Sequence, residues 1–202
     1  MLFYTLFLII TLSLTFALNA IFKVDVWYLC LLFVFISFVF EFVLDAILAL
    51  GLRRLVPQKW IKPEGFYFRT HKFEKGLYEK LGIKKWKGWV PELGGFTDLH
   101  KSELASTEDS QYLHRFIIES CYGELIHRMS CLFSFTLLFL GIIKPNMLWS
   151  LFLPCCFINL FCNLLPAMIQ RYVRPRLEVL YKRAKKNEER NARKALERET
   201  HE

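Results

Sequence analysis

Long runs of apolar residues alternate with basic segments along this chain. Four runs stand out, and charged residues are sparse in them: residues 2–22, 24–50, 129–143 and 147–169. A helix rises 1.5 Å per residue, so about twenty apolar residues cross the hydrocarbon core of a bilayer. A soluble helix would instead carry a polar face. The pattern predicts an all-α integral membrane protein with about four transmembrane helices. The third is short unless it begins upstream, near Tyr112.

Lysine and arginine are concentrated in two segments. Residues 51–128 carry fourteen of the 27 basic residues and residues 171–202 carry eleven, whereas Lys23 and Lys144 stand alone in the short connections. Basic loops stay on the cytoplasmic side of a membrane. We therefore predict a multi-pass protein of the cell membrane with both termini in the cytoplasm.

These patterns divide the chain into four parts. Residues 1–50 are predicted to form two transmembrane helices, 51–128 a cytoplasmic interfacial loop with short helices, 129–177 two more transmembrane helices, and 178–202 a charged cytoplasmic helix. Tryptophan and tyrosine alternate with lysine in the loop, which favours the headgroup level of an anionic membrane. The same mixture could bind nucleic acid. Because the loop is tethered between spans, we expect membrane lipid and no nucleic acid as its partner.

The six cysteines show no C-x-x-C spacing. Neither a zinc site nor a disulfide framework is predicted, and no bound metal or cofactor is expected. A metal site would need further ligands such as His100, His114 and Glu119, and nothing in the sequence fixes their spacing.

Two carboxylates lie inside the second apolar run. Glu41 and Asp45 are four residues apart, so they share one face of a helix. A carboxylate at that depth is costly unless it is paired, wet or protonated. One interpretation is a contact with an ion, a proton or a substrate. The other is a structural pair with a basic or amide group, for which Asn159, Asn163 and Arg171 are candidates.

A histidine with the features of a general base precedes the third run. Glu124 and His127 are three residues apart and face the same way on a helix. A carboxylate that hydrogen-bonds an imidazole fixes its tautomer and raises its basicity. The alternative interpretation is an ion pair at the membrane interface. Cys121, one turn before Glu124, is an alternative nucleophile.

Three arginines follow the last apolar run. Arg171, Arg174 and Arg176 could bind phosphate through bidentate hydrogen bonds. The alternative is an ordinary anchor on anionic headgroups. Pro175 is expected to break the helix near Arg174, because proline has no N–H to continue the helical ladder.

Three blocks of sequence, taken together, resemble one family. They are residues 84–92 (KKWKGWVPE), 119–127 (ESCYGELIH) and 163–177 (NLLPAMIQRYVRPRL). In this order, between membrane spans, they are similar to the bacterial glycosyl-4,4'-diaponeurosporenoate acyltransferases. The chain departs from the family pattern at Arg128, where tryptophan is favoured, and at Val173, where asparagine is favoured.

The resemblance implies an acyltransferase that moves a fatty acyl group from a thioester to a hydroxyl of a glycosylated carotenoid or related glycolipid. The thioester would be acyl-CoA or an acyl carrier protein. His127 would act as the base and Glu124 would orient it. The expected substrate-binding residues are Glu119, Asn163, Gln170 and Tyr172, the three arginines for phosphate, and Lys85 and Trp86 at the entrance. Asn163 and Gln170 would donate hydrogen bonds to the developing oxyanion.

Two alternatives remain open at this point. One is another group transfer to a lipid or isoprenoid, such as methylation. The other is a non-enzymatic membrane scaffold, in which the arginines grip lipid and the loop docks a partner. The partners we expect are a lipid-linked hydroxyl substrate, membrane lipids and other membrane biosynthetic enzymes. The acyltransferase hypothesis requires His127 and the arginines to converge at one pocket on the inner membrane surface.

Overall fold

The computed structural model describes residues 2–90, 106–143, 145 and 151–200, and within these ranges its regular elements are all helices. This confirms the all-α class. The α-helices, named in chain order, are α1 (Leu2–Phe22), α2 (Trp27–Leu55), α3 (Lys72–Lys80), α4 (Ile83–Trp86), α5 (Ser110–Ser134), α6 (Thr136–Ile143) and α7 (Leu153–Glu199). Three of them, α1, α2 and α7, are long and apolar enough to cross a membrane.

Helices α1 and α2 form an antiparallel hairpin. Tyr4 of α1 meets Phe42 of α2 with ring centroids 4.9 Å apart, and Phe16 meets Trp27 at 6.2 Å. Early residues of one helix therefore lie beside late residues of the other. The connection is short, and the Val24 amide closes it by donating to the Asn19 carbonyl at 3.0 Å.

Burial in α1 is the reverse of that in a soluble protein. Its buried side chains are Thr11, Thr15 and Asn19, which recur every four residues and so form one stripe. Apolar side chains such as Ile9 and Phe16 are more than half exposed. Lipid favours this arrangement, because apolar groups can face hydrocarbon while small polar groups pack between helices.

The third predicted span, residues 129–143, is not one helix. It consists of the end of α5 and the short α6, with Phe135 between them. Side-chain hydroxyls compete for backbone carbonyls at this point. Ser134 donates to the Ser130 carbonyl at 3.0 Å, and Thr136 donates to the Phe133 carbonyl at 2.6 Å. Such back-bonding bends and weakens a helix, which accounts for the interruption.

The prediction that Pro175 ends the last helix is wrong. Helix α7 continues through Pro175 as far as Glu199. Proline at this position deprives the Arg171 carbonyl, four residues earlier, of its helical donor. The Thr70 hydroxyl supplies the missing hydrogen bond at 3.0 Å. A side chain distant in sequence therefore lets the helix continue.

The described residues fall into two compact units. The first unit holds α1, α2, α6, α5 from Tyr122 onward and α7 up to Met168. The second unit holds residues 58–88 with α3 and α4, the start of α5 and α7 from Ile169 onward. Predicted site residues occur in both units, which are described separately below.

Candidate active site

In the first unit, His127 of α5 is held by an asparagine of α7. The Nδ1 atom of His127 lies 3.0 Å from Oδ1 of Asn163. The other end of the Asn163 amide donates from Nδ2 to the Asn159 carbonyl at 3.3 Å. Asn163 is buried with 2% of its surface exposed. The Asn159 carbonyl takes one of the two Nδ2 hydrogens, so the predicted donation to an oxyanion would have to come from the other.

Glu124, the predicted orienting carboxylate, is completely buried in the same unit. Its Oε1 atom forms an ion pair with Nη2 of Arg128, 2.8 Å away. The two residues are four apart on α5, which is the usual spacing for a helical ion pair. Arg128 is one of the positions where the sequence departs from the family pattern. The predicted action of Glu124 on His127 stays a prediction.

The two carboxylates of α2 bind serines of α5. The Ser134 hydroxyl shares its one proton between the Ser130 carbonyl and Oε1 of Glu41, which lies 3.1 Å away, and Ser130 donates to Oδ1 of Asp45. Both pairs are four residues apart, so two successive turns of each helix match. These contacts are those expected of a structural pair, with a hydroxyl group at each carboxylate. The alternative, a contact with an ion, a proton or a substrate, stays a prediction. The matched i, i+4 spacing of the serines was the signal that sequence reasoning missed.

A second amide joins this group of residues. Nδ2 of Asn159 donates to Oγ of Ser37 on α2 at 3.4 Å. We call the set the polar cluster; its members are Ser37, Glu41, Asp45, His127, Ser130, Ser134, Asn159 and Asn163. Every member lies in the first unit. Five members are buried and three (Ser37, Asp45 and His127) are half-buried. Polar groups that hydrogen-bond one another can lie in an apolar environment at tolerable cost.

In the second unit, Arg171 holds the segment that precedes and begins α3. Its Nε and Nη2 atoms each donate to Glu74, with both distances 2.6 Å. Nη1 and Nη2 also donate to the carbonyls of Tyr67 and Arg69 at 3.1 and 3.0 Å. The pair with Glu74 is the bidentate geometry that arginine adopts with a carboxylate. Here its partner belongs to the protein itself.

These bonds act on the ionisation of Glu74. Burial opposes the charged form, but hydrogen bonds from Arg171, from the His71 amide and from the Tyr78 hydroxyl outweigh it and hold the pKa of Glu74 at about 2. Burial and the neighbouring Glu74 carboxylate raise the pKa of Tyr78 to about 12. Glu74 is therefore charged and Tyr78 neutral throughout the physiological range.

Arg174 is completely buried in the second unit. Its Nη1 atom donates to the Phe68 carbonyl at 2.8 Å, and Nη2 donates to the Ser120 carbonyl at 3.1 Å. Its guanidinium also lies 5.5 Å from the centre of the Phe68 ring. We call Arg171 and Arg174, together with Glu74 and the carbonyls that they bind, the arginine clamp.

The remaining predicted residues are distributed through the second unit. Arg176 and Lys85 are exposed, Tyr172 and Glu119 are half-buried, and Gln170 is buried. The Trp86 indole donates to the Leu81 carbonyl at 3.0 Å. Cys121, the alternative nucleophile, is completely buried. His100, the remaining candidate metal ligand, lies outside the described residues, as do the last two residues of the first sequence block.

Comparison with known proteins decides the family. Residues 57–183 match the model of the glycosyl-4,4'-diaponeurosporenoate acyltransferases. A protein of that name from Staphylococcus haemolyticus (strain JCSC1435) is 34% identical over 140 residues, which are 67% of this chain and 77% of the relative. The chain belongs to the glycosyl-4,4'-diaponeurosporenoate acyltransferase family. No solved structure matches it significantly.

Membership makes the chain a transferase and confirms the resemblance of the three blocks. The acyltransferase family region contains the arginine clamp and both His127 and Asn163. It begins just beyond α2, so Glu41 and Asp45 lie outside it while their partners Ser134 and Ser130 lie inside. The methyltransferase and scaffold alternatives receive no support from these matches.

Proposed function

We propose that the protein transfers a fatty acyl group from a cytoplasmic thioester to a sugar hydroxyl of a glycosylated carotenoid or a related glycolipid. The family assignment supports the reaction class. The hydrogen bond between His127 and Asn163 is the observation that carries the catalytic part. An imidazole held at one nitrogen presents the other nitrogen in a fixed direction, which is what a general base requires.

In the proposed reaction, His127 takes the proton of the acceptor hydroxyl as its oxygen attacks the thioester carbonyl. The tetrahedral intermediate collapses, the carbon–sulfur bond breaks, and the imidazolium returns the proton to the leaving thiolate. The products are an ester and a free thiol, so no oxidant or net proton is needed. Asp45 interacts electrostatically with His127, so a negative charge on it would favour the transient imidazolium, and we propose the same role for Glu124.

The exposed Arg176 is our candidate for the phosphate groups of the donor. The two arginines of the clamp differ from it, because Glu74 and backbone carbonyls already accept their hydrogen bonds. We therefore assign Arg171 and Arg174 first to the architecture of the second unit. Their predicted convergence with His127 stays a prediction.

We also propose that the chain crosses the membrane four times, with both termini in the cytoplasm and α3 at the inner surface. Phe73, Leu77 and Leu81 lie four residues apart along α3 and its end, and each is at least half exposed. The adjoining face of α3 carries the buried Glu74 and Tyr78. Exposed lysines surround this apolar stripe, a combination typical of helices that lie on anionic membranes.

Mass spectrometry of the reaction products tests the proposed function. The purified protein in liposomes receives a glycosylated carotenoid and either acyl-CoA or an acylated carrier protein. We expect the acceptor to gain the mass of one fatty acyl group, and His127→Ala to lower turnover at least about a hundredfold. The matched control is His114→Ala, which removes an exposed histidine of the second unit. Full activity in folded His127→Ala would refute the assignment of the base.

A further inference from the structure

We infer that Asn163 is a positioning residue that keeps the proton of His127 on Nδ1, so that the lone pair lies on Nε2. The inference rests on the proposed function, in which His127 is the base. It assigns Asn163 a task different from the oxyanion contact expected from the sequence. It also names the atom of His127 that receives the hydroxyl proton.

The direction of the Asn163 amide decides the tautomer. An asparagine side chain has one accepting end and one donating end. The Asn159 carbonyl can only accept, so the donating Nδ2 of Asn163 must face it, at 3.3 Å. The accepting Oδ1 then faces Nδ1 of His127 at 3.0 Å. A nitrogen that bonds to an acceptor must carry the proton, so a neutral imidazole is protonated at Nδ1.

Asn159 sets this direction through its backbone rather than its side chain. It lies four residues before Asn163 on α7, so its carbonyl is fixed by the helix. The Asn159 side chain is directed elsewhere, to Oγ of Ser37 on α2. The structure therefore provides two buried asparagines on one helix, of which only one side chain binds the imidazole.

The neutral amide of Asn163 acts on His127 differently from the Glu124 carboxylate that the sequence predicts as its partner. It fixes the tautomer but adds no full negative charge to the Nδ1 side of the ring. Charged groups of the same unit have partners of their own. Arg128 binds Glu124 on α5, and Asp45 of α2 accepts from Ser130 while acting on His127 electrostatically.

Solid-state NMR of the full-length protein in liposomes measures the tautomer directly. The protein is labelled with ¹⁵N in its histidine side chains, and His127→Gln identifies the His127 resonances. Spectra are recorded at a pH where the imidazole is neutral. We expect Nδ1 of His127 to carry the proton in the wild type and in Asn163→Asp, which retains the accepting oxygen. In Asn163→Leu, which is nearly isosteric but apolar, we expect a mixture of tautomers.

Asn159→Leu is the matched control. It removes the other buried asparagine but leaves the carbonyl that orients Asn163, so the His127 tautomer should not change. In the activity assay, Asn163→Leu should lower kcat about tenfold, the loss expected from one hydrogen bond, with little change in KM. Asn163→Asp should restore most of kcat. A residue that only binds substrate would instead change KM.

The NMR and activity experiments test two claims that can be contradicted separately. A wild-type His127 that is protonated at Nε2, or an unchanged tautomer in Asn163→Leu, would overturn the inference even if His127 is essential for acyl transfer. If Asn163→Leu does not fold, the wild-type and Asn163→Asp spectra still decide the tautomer. Conversely, a proton on Nδ1 in a protein whose His127→Ala variant stays fully active would leave the tautomer standing and remove the proposed base.

Discussion

The polar cluster of the first unit and the arginine clamp of the second both bury polar groups, but they engage those groups differently. In the clamp, Arg171 makes four hydrogen bonds to a carboxylate and two carbonyls. In the cluster, His127 has one ring nitrogen assigned to Asn163. The clamp joins segments that are distant in sequence, whereas the cluster directs the chemistry of one side chain.

This difference separates two uses of buried charge. A buried ion pair is favourable only when its hydrogen bonds are satisfied, and removing one partner leaves an uncompensated charge. Arg171 and Glu74 fit that description, so changes there should act on stability. The imidazole of His127 can gain and lose a proton during a reaction, so changes there should act on turnover.

The largest expected loss of stability comes from Arg171→Ala. The change leaves the buried Glu74 carboxylate without its main partner, and we expect the free energy of unfolding to fall by about 3–5 kcal/mol. Arg171→Lys should lower the free energy of unfolding by less, because lysine keeps the positive charge although it lacks the fork of donors. Chemical denaturation in detergent micelles measures both. Arg176→Lys, at an exposed position, is the control, and equal losses at the two positions would contradict the clamp.

Glu74 should make this stability depend on pH. Its pKa is about 2 in the folded protein and ordinarily 4.5. Because the folded value is the lower one, the stabilisation is fully present above about pH 4.5 and is lost as the pH falls toward 2. The contribution is about 3 kcal/mol. The difference in unfolding free energy between wild type and Glu74→Gln should therefore shrink from pH 6 to pH 3. A constant difference would contradict the assignment.

Thr70→Val should have a moderate effect on the second unit. It keeps the shape of the side chain but removes the hydroxyl that donates to the Arg171 carbonyl, four residues before Pro175. We expect a loss of about 1–2 kcal/mol in the free energy of unfolding. In the double variant Thr70→Val, Pro175→Ala, the alanine N–H can replace the hydroxyl, so most of the loss should disappear. No recovery in the double variant would show that Thr70 acts in another way.

The smallest effect is expected in the polar cluster. Ser134→Ala removes the hydroxyl that binds Glu41 and leaves the carboxylate in place. Hydrogen bonds between transmembrane helices contribute about 0.6 kcal/mol on average, so we expect a loss of about that size. Unfolding of the variant in micelles measures it. A loss as large as that of Arg171→Ala would mean that the cluster also serves mainly as architecture.

Local patterns in the sequence predicted the elements of the fold that depend on local chemistry. The first apolar run forms α1 with the same bounds, and Glu124 and His127 both lie on helix α5, as expected. Apolar length, charge distribution and i, i+3 spacing are readable because they depend only on neighbouring residues. The family was recognisable from the three blocks for a similar reason.

Contacts between distant residues could not be predicted in this way. Glu74 lies 97 residues from Arg171, and Thr70 lies 101 residues from the carbonyl it satisfies. Without those partners, the sequence predicts a phosphate site at the arginines and a helix end at Pro175. The helix end is wrong, whereas the phosphate site stays a prediction. The sequence likewise predicts Asn163 as a donor to an oxyanion but does not show which end of its amide faces His127. That donation stays a prediction.

The contrast between the two regions can be tested in one assay of turnover per folded molecule. Wild type, His127→Gln and Arg171→Lys are reconstituted in liposomes, the folded fraction of each is measured, and ester formation is followed by mass spectrometry. We predict that His127→Gln folds normally but is at least about a hundredfold slower, and that Arg171→Lys is less stable but turns over normally once folded. Normal turnover in His127→Gln, with turnover lost in fully folded Arg171→Lys, would contradict the account.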